Sequence, residues 1–534
     1  MGICWWNGNI YTMEFEHDKV EAVYTQDGTI LESGALEKIK RKYADQIVKY
    51  VDLQGKTMFP GFVDSHIHLI GHGETFLKLQ LAGLLSRQQL LDRIGEQTRV
   101  IPEGEWIIGE GWNENEWEEC GMLSKKELDT VAPRHPVMLR RVCRHVMAVN
   151  SMALAKAQVT EHVTAPSGGV IEKDPEGKLT GILKEKAQDL ILEVIPGVTE
   201  LYLKTALHAA IEDCWSQGLT GCHTEDLSYY GGSIRVLQAF HSVLHDEGKP
   251  FRAHLLVHHL VMQEWYELGR KQIAESPYLE YGAMKIFVDG ALGGRTALLS
   301  QPYADDPSTC GVAVHSQADL NQWVKQARDY GMSVSAHTIG DKAAEMFLNA
   351  IVNHPCPSDK RDRLIHGQIL RKALIENMKE LPLIVDIQPS FVTSDFPWVL
   401  ERVGNLKGLY LYAWKTLFNE GIHCAGGSDA PIEKVSPIEA IHAAVTRTRP
   451  QKQDKTIYGP EECLSMFQAI SLYTLGSAYA IGHEQDRGMI KSGYLADFTV
   501  LENDPFQLAD ADEMLHNSVV MTVINGEIMY ELTD

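Results

Sequence analysis

The sequence predicts an α/β fold, a (β/α)8 barrel of the TIM type, and three observations predict it. From residue 219 onward, short β-rich apolar runs alternate with helix-length segments at 20–50-residue spacing. That alternation is the signature of βα units around a parallel sheet. With MFPGFVDSHIH (58–68) included, the runs number eight, the count that closes such a barrel, with a doubly wound sheet as the alternative. The first run also ends on two histidines, His66 and His68, and enzymes of this fold place their sites at the carboxyl ends of the strands.

The elements follow in order. Residues 1–57 hold short strands and turns (WWNGNIYTM, AVYTQDGTILESG, KYVDLQGKT), and residues 487–534 do the same (GMIKSGYLADFTVLEN, VVMTVINGEIMYE). Neither half covers a hydrophobic face alone, so together they predict one small β-sandwich built from both termini. Residues 58–75 plus 200–486 form the barrel. Its first strand is followed by LTGCHTE (219–225), RAHLLVH (252–258), AMKIFVD (283–289) and MSVSAHT (332–338). RLIHGQI (363–369), LIVDIQ (383–388) and HCAGGSD (423–429) complete it, with amphipathic segments such as DLNQWVKQARDYG and KALIENMKEL between strands. About 150 residues separate the first strand from the second, far more than one crossover needs. Strand-like and helical patterns there, such as EWIIGEGW and HPVMLRRV, mark residues 76–199 as an inserted α+β subdomain, expected over the active-site mouth; structureless loops of that length are uncommon.

Composition narrows the function classes. Forty-nine Lys and Arg against 72 Asp and Glu give a formal charge of −23, which argues against nucleic acid and against anionic lipid surfaces. It also argues against a polyanionic substrate and for a neutral or cationic one. Nine cysteines, at positions 4, 120, 143, 214, 222, 310, 356, 424 and 463, show no C-x-x-C. Reduced thiols in a cytoplasmic protein are expected rather than a disulfide framework. No signal peptide, myristoylation signal or run of 18 apolar residues is read, so no membrane partner is expected. A homo-oligomer is left open.

His66-Ile67-His68 is weak evidence alone, because 22 histidines in 534 residues give roughly one H-x-H by chance. On a strand, however, i and i+2 share a face, so both imidazoles can meet one metal ion. Lys285, His337, His366 and Asp429 occupy other strand ends. Each has a bland reading: a lysine paired with Asp289, hydrogen-bonded core histidines, a helix cap at Asp429. As an ordered set at one barrel mouth they are instead an arrangement for one or two divalent metals.

That set resembles the amidohydrolase superfamily of metal-dependent hydrolases, and more closely its amidohydrolase 3 branch, the YtcJ-like proteins that include N-substituted formamide deformylases. The stretches FPGFVDSHIHL, GEGWNENEW, HVMAVNSMAL, MKIFVDGALGGRTA, AHTIGDKA, RLIHGQ, GGSDAPIE and GMIKSGYLADFTVLENDPF carry the resemblance from residue 59 to 506. It implies that His66, His68 and Asp429 hold one metal and that His337 and His366 hold a second. Lys285 would bridge the two as a carbamate formed with CO2. Zinc is the expected ion. The implied reaction is cleavage of an amide-type C–N bond, in an N-formyl or N-acyl amine or a cyclic amide. A metal-activated hydroxide would attack, with Asp429 as general base and then acid.

His145, from the insert, is a candidate for stabilising the oxyanion. Trp112, Asn113, Arg295 and Gln388 are candidate substrate contacts, with Phe391 and Trp398 suited to an apolar or aryl group. The alternatives are a mononuclear deaminase or esterase of the same superfamily, a Schiff-base lyase on Lys285 and a non-catalytic scaffold. Deaminases of the superfamily carry His-x-x-Glu after strand 5, whereas here His337 is followed by Thr338-Ile339-Gly340.

Overall fold

The computed structural model describes residues 2–533 apart from 115–116, 118–121, 142–144, 167, 270–275, 405–407 and 450–455. Two of the nine cysteines, Cys120 and Cys143, and part of GEGWNENEW lie outside the described residues; the other seven cysteines are free thiols. No helix among the described residues is long and apolar enough to cross a membrane. The chain divides into two compact units, Met1–Gly71 with Leu207–Asp534, and His72–Ala206.

Eight parallel strands build the core of the first unit. They are β1 (Phe62–Ile67), β2 (Leu219–Thr224), β3 (Arg252–His258), β4 (Leu279–Phe287), β5 (Val334–Thr338), β6 (Asp362–His366), β7 (Leu383–Ile387) and β8 (His423–Gly426). They pair in sequence order from β1 to β8. β2, β3, β6 and β7 are buried along their whole length, which is why their sequences do not alternate between an apolar and a solvated face.

The segment after β8 returns to β1 and nearly closes the ring. Asp429 N–H donates to His66 O at 2.7 Å and His68 N–H to Ala430 O at 2.8 Å. The buried Asp64 carboxylate fastens the same seam, accepting from His66 N–H (3.0 Å) and Ser428 N–H (3.0 Å). Gly427 lies so close that a Cβ there would sit 2.5 Å from His66 N; only glycine permits the approach. The crossover helices obey ordinary end rules. Gln317–Asp329 starts with a Ser316/Asp319 capping box and buries Leu320, Val324 and Ala327 on one stripe.

Both ends of the chain enter one eight-stranded sheet in the same unit, in which Phe498–Leu501 runs antiparallel to Thr57–Pro60. Where one small β-sandwich from both termini was expected, the strands of both ends join in one hydrogen-bonded sheet with a core shared by Trp5, Val23, Ile30, Met58, Phe498, Val500 and Val523. Bifurcated pairing makes this possible. Gly2–Tyr11 pairs Ile47–Asp52 over its first half and Thr57–Met58 over its second.

The barrel floor is tied to the segment that leads into this sheet. Glu280, near the start of β4, receives His483 Nε2 at 3.1 Å and pairs with Arg487, while His483 Nδ1 meets Asp486 at 2.9 Å. These carboxylates, Asp486 first and then Glu280, push the His483 pKa from 6.5 up to about 9. A folded pKa above the unfolded one means the contribution is complete below pH 6.5 and is lost as pH rises through 9. We expect wild-type stability to fall by about 1–2 kcal/mol across that window, after allowance for solvent screening of a partly exposed ring. Urea denaturation at both ends of the window should show that slope, and His483→Ala should flatten it. An unchanged slope in the variant would remove His483 as its source.

The second unit is a six-stranded mixed sheet. Its order is Gly169–Lys173, Leu179–Glu185, Val146–Val149, Val137–Arg141, Ile107–Trp112 and Leu79–Gln80. Strand alternation gives it two apolar faces. Ile107, Val137 and Leu139 pack with Leu90, Ile94 and Leu128 on one side, and Met138, Met147 and Leu183 pack with Leu154 and Ile191 on the other.

Candidate metal centre at the carboxyl ends of the strands

β1 delivers His66, the residue just past its end is His68, and the loop that closes the ring delivers Asp429. Asp429 Oδ1 lies 3.4 Å from both His66 Nε2 and His68 Nε2. One ligand atom from each of the three residues falls within 4.8 Å of the others, a spacing that a single divalent ion can span. Lys285, on β4 and fully buried, places Nζ 3.2 Å from His66 Nε2. On the neighbouring strands, His366 Nε2 and His337 Nδ1 face each other at 2.9 Å.

Outer partners fix the direction of each ring. His68 Nδ1 contacts Glu225 O at 2.6 Å, His366 Nδ1 contacts Gln388 Oε1 at 2.7 Å and His337 Nε2 contacts Gly290 O at 3.2 Å. On His366 and His337 the outer nitrogen donates its N–H to that acceptor, which leaves the inner nitrogen as a lone pair. Burial pushes the His366 pKa down to about 4 and that of His337 well below its ordinary value. With the tautomers those acceptors select, two neutral imidazoles turn lone pairs toward one place, an arrangement that a cation beside them would satisfy. The donor set suits a borderline divalent metal on this ground alone.

At the first three residues a proton holds the place that a metal ion would take, shared between His68 and Asp429. Burial opposes charge on His68, but the Asp429 carboxylate more than offsets it and raises the pKa to about 9. Burial also opposes charge on Asp429, which its imidazole neighbours nevertheless hold below the usual carboxylate range. Desolvation drives Lys285 downward, toward the neutral amine. His366 (φ 76°) and Asp429 (φ 56°) both hold left-handed backbone, a strain that tends to collect at functional sites.

The remaining expected residues are placed as follows. Gln388 is buried and grips the His366 ring, so its amide orients that imidazole. Arg295 forms a two-pronged pair with Asp305 (2.7 and 3.2 Å). Phe391 lies nearly parallel to His366, 13° between planes at 5.9 Å, and the Trp398 indole N–H donates to Ser394 O. In the second unit, Trp112 is fully buried in the apolar core and stacks on Trp117. Asn113 Oδ1 accepts from Arg141. His145 is 68% exposed and contacts Glu185 at 3.1 Å.

Sequence reasoning passed over Glu225 and His258 beside the centre, and weighed Asp289 only as a partner for Lys285. Glu225, at the end of β2, is fully buried and accepts from Tyr229 OH at 2.7 Å. Asp289, after β4, accepts from Ile339, Gly340 and Leu298 N–H and approaches His337 Nε2 at 3.7 Å. His258 ends β3 in register with Lys285. Its Nδ1 accepts from Leu260 N–H (3.2 Å), which leaves Nε2–H as a donor with no partner among the described residues. The rule that flagged Lys285, position at a strand's carboxyl end, applies equally to His258.

A parallel barrel with imidazoles, carboxylate and lysine gathered at its carboxyl end defines the class of metal-dependent barrel hydrolases. The chain belongs to the amidohydrolase family, whose model matches residues 49–530. It is 50% identical over 531 residues to YtcJ of Bacillus subtilis strain 168, which carries an amidohydrolase name, covering 99% of this chain and 100% of that one. It is 27% identical to the N-substituted formamide deformylase of Arthrobacter pascens, over 99% of this chain and 98% of the relative. Among solved structures, an uncharacterized metal-dependent hydrolase from Pyrococcus furiosus superimposes with a TM-score of 0.79 at 28% identity, over 95% of this chain and 100% of that one.

Proposed function

We propose that the protein hydrolyses the C–N bond of a small neutral or cationic amide, an N-formyl or N-acyl amine or a cyclic amide. The observation that carries this reading is the meeting of His66, His68 and Asp429 beside the buried amine of Lys285. Full-length similarity to a relative named for deformylating N-substituted formamides supports the N-formyl class.

His66, His68 and Asp429 would hold one divalent ion, His337 and His366 a second, with zinc favoured by the imidazole-rich set. Ions bound there supply a water that ionises near neutral pH and a Lewis acid for the carbonyl. Lys285 joins the two positions best as a carbamate. Burial lowers its pKa and so favours the unprotonated amine, which would form an N–C bond with CO2 and release a proton, so that two oxygens sharing one negative charge would replace one nitrogen. Asp429, held in its carboxylate form, accepts a proton from the attacking water and delivers it to the leaving nitrogen as the C–N bond breaks. The free Nε2–H of His258 is positioned to donate to the carbonyl oxygen as charge develops. It fits that task better than His145, which is exposed and engaged with Glu185. Phe391 offers a flat apolar wall beside His366.

The test is a chelator-stripped sample, reloaded with zinc and bicarbonate and screened against N-formyl amines, N-acyl amines, cyclic amides and esters. Amine release that disappears on stripping and returns on reloading is expected. Full activity in the stripped sample, or a folded protein that takes up no metal, would end the reading.

A further inference from the structure

A second group of ligand-type side chains lies away from the barrel mouth, at the end of the helix Ser233–His241, where the chain continues as a π-helical turn, Ser242–Asp246. His241, His245 and Asp246 each place one ligand atom within 4.8 Å of the others. The two imidazoles are 4.6 Å apart between ring centres, and His241 Nδ1 stands 3.5 Å from Asp246 Oδ2. That separation is too long for a good hydrogen bond, and His241 Nε2 is buried without any hydrogen-bond partner.

The widened turn is what assembles the group. In an α-helix, residue i+5 points about 140° away from residue i. The i→i+5 bonding of a π-turn adds close to one residue per turn, which brings i+4 and i+5 to about 30° and 50° on either side of residue i. His245 and Asp246 therefore flank His241 on one outward face, while Val243 and Leu244 between them are buried. The end of a helix is also where unpaired carbonyls favour a positive charge. The next carboxylate, Glu247, is engaged with His208 at 2.7 Å, which leaves the ligand set at three with one position for water.

We infer that His241, His245 and Asp246 form a second metal site on the outer face of the barrel, for a single borderline divalent cation of the zinc class. Two imidazoles and one carboxylate, with water completing a tetrahedron, are donors for zinc, nickel or copper rather than for magnesium or calcium. The inference stands apart from the hydrolytic reading, since no residue of the barrel mouth takes part in it.

The experiment compares zinc content of the full chain after equilibrium dialysis with that of His245→Ala and His241→Ala. Each variant is expected to bind one zinc fewer than wild type, with excess magnesium unable to displace the difference. The first copper equivalent bound by a His66→Ala/His366→Ala protein should give an electron paramagnetic resonance spectrum with two nitrogen ligands, lost in the His245→Ala background. His245→Ala should turn over substrate at the wild-type rate. Equal zinc content in wild type and both variants, or a copper spectrum unaltered by His245→Ala, would overturn the assignment.

Discussion

Asp429→Asn is expected to lower kcat by about 10^3-fold or more, because an amide cannot accept the proton that the carboxylate would carry. Asparagine is the informative replacement. Asp429 sits at φ 56°, a left-handed conformation that Asn tolerates better than most residues. The backbone bond from position 429 to His66 O survives as well, so the ring seam stays closed. The thermal midpoint should move little while turnover collapses. His66→Ala should be equally inactive, with lower metal content. Because Asp429 is also a proposed ligand, metal content measured on Asp429→Asn separates the two roles: metal retained with turnover lost assigns proton transfer, and metal lost assigns ligation. Wild-type turnover in Asp429→Asn would remove this residue from the chemistry.

The largest expected stability effect lies beneath the site. Arg363 on β6 and Asp386 on β7 form a fully buried two-pronged pair at 2.8 and 2.9 Å, and Arg363 also donates to Ser65 O at 2.6 Å. Removing one partner strands the other charge in the barrel interior. Arg363→Met should therefore cost about 3–5 kcal/mol in urea denaturation. Arg363→Met combined with Asp386→Leu should recover most of that loss, since an apolar pair of similar volume leaves no orphan charge. Additive losses in the double variant would show that packing, not the stranded carboxylate, sets the cost.

Much of the barrel was legible because its strands are largely buried on both faces, which writes them as apolar-rich runs without alternation, such as LIVDI at Leu383–Ile387, where Asp386 is the one charged residue. The residues His66, His68, Lys285, His337, His366 and Asp429 stood out because their residue types are costly at strand ends unless they have a task. Other features had no such signal. Trp112 reads in sequence as a candidate substrate contact, but its full burial and its stacking on Trp117 place it among the apolar residues of the insert. Gln388 reads as a polar residue facing a mouth, yet its partner is the His366 ring, a pairing set by the β6–β7 register that periodicity does not reveal. The single terminal sheet was hidden because Gly2–Tyr11 divides its pairing between two partners, and a strand's pattern says which face is apolar but not which neighbour it has.

The pairing of Thr57–Pro60 with Phe498–Leu501 has a consequence for biosynthesis. The ribosome makes about 440 further residues before the second strand exists, roughly 20–90 s at ordinary elongation rates. Throughout that interval the first sixty residues carry an open strand edge and half of a hydrophobic core. Chains whose translation stops early can never satisfy that edge, which makes it a built-in mark by which chaperones and proteases can tell unfinished copies from finished ones.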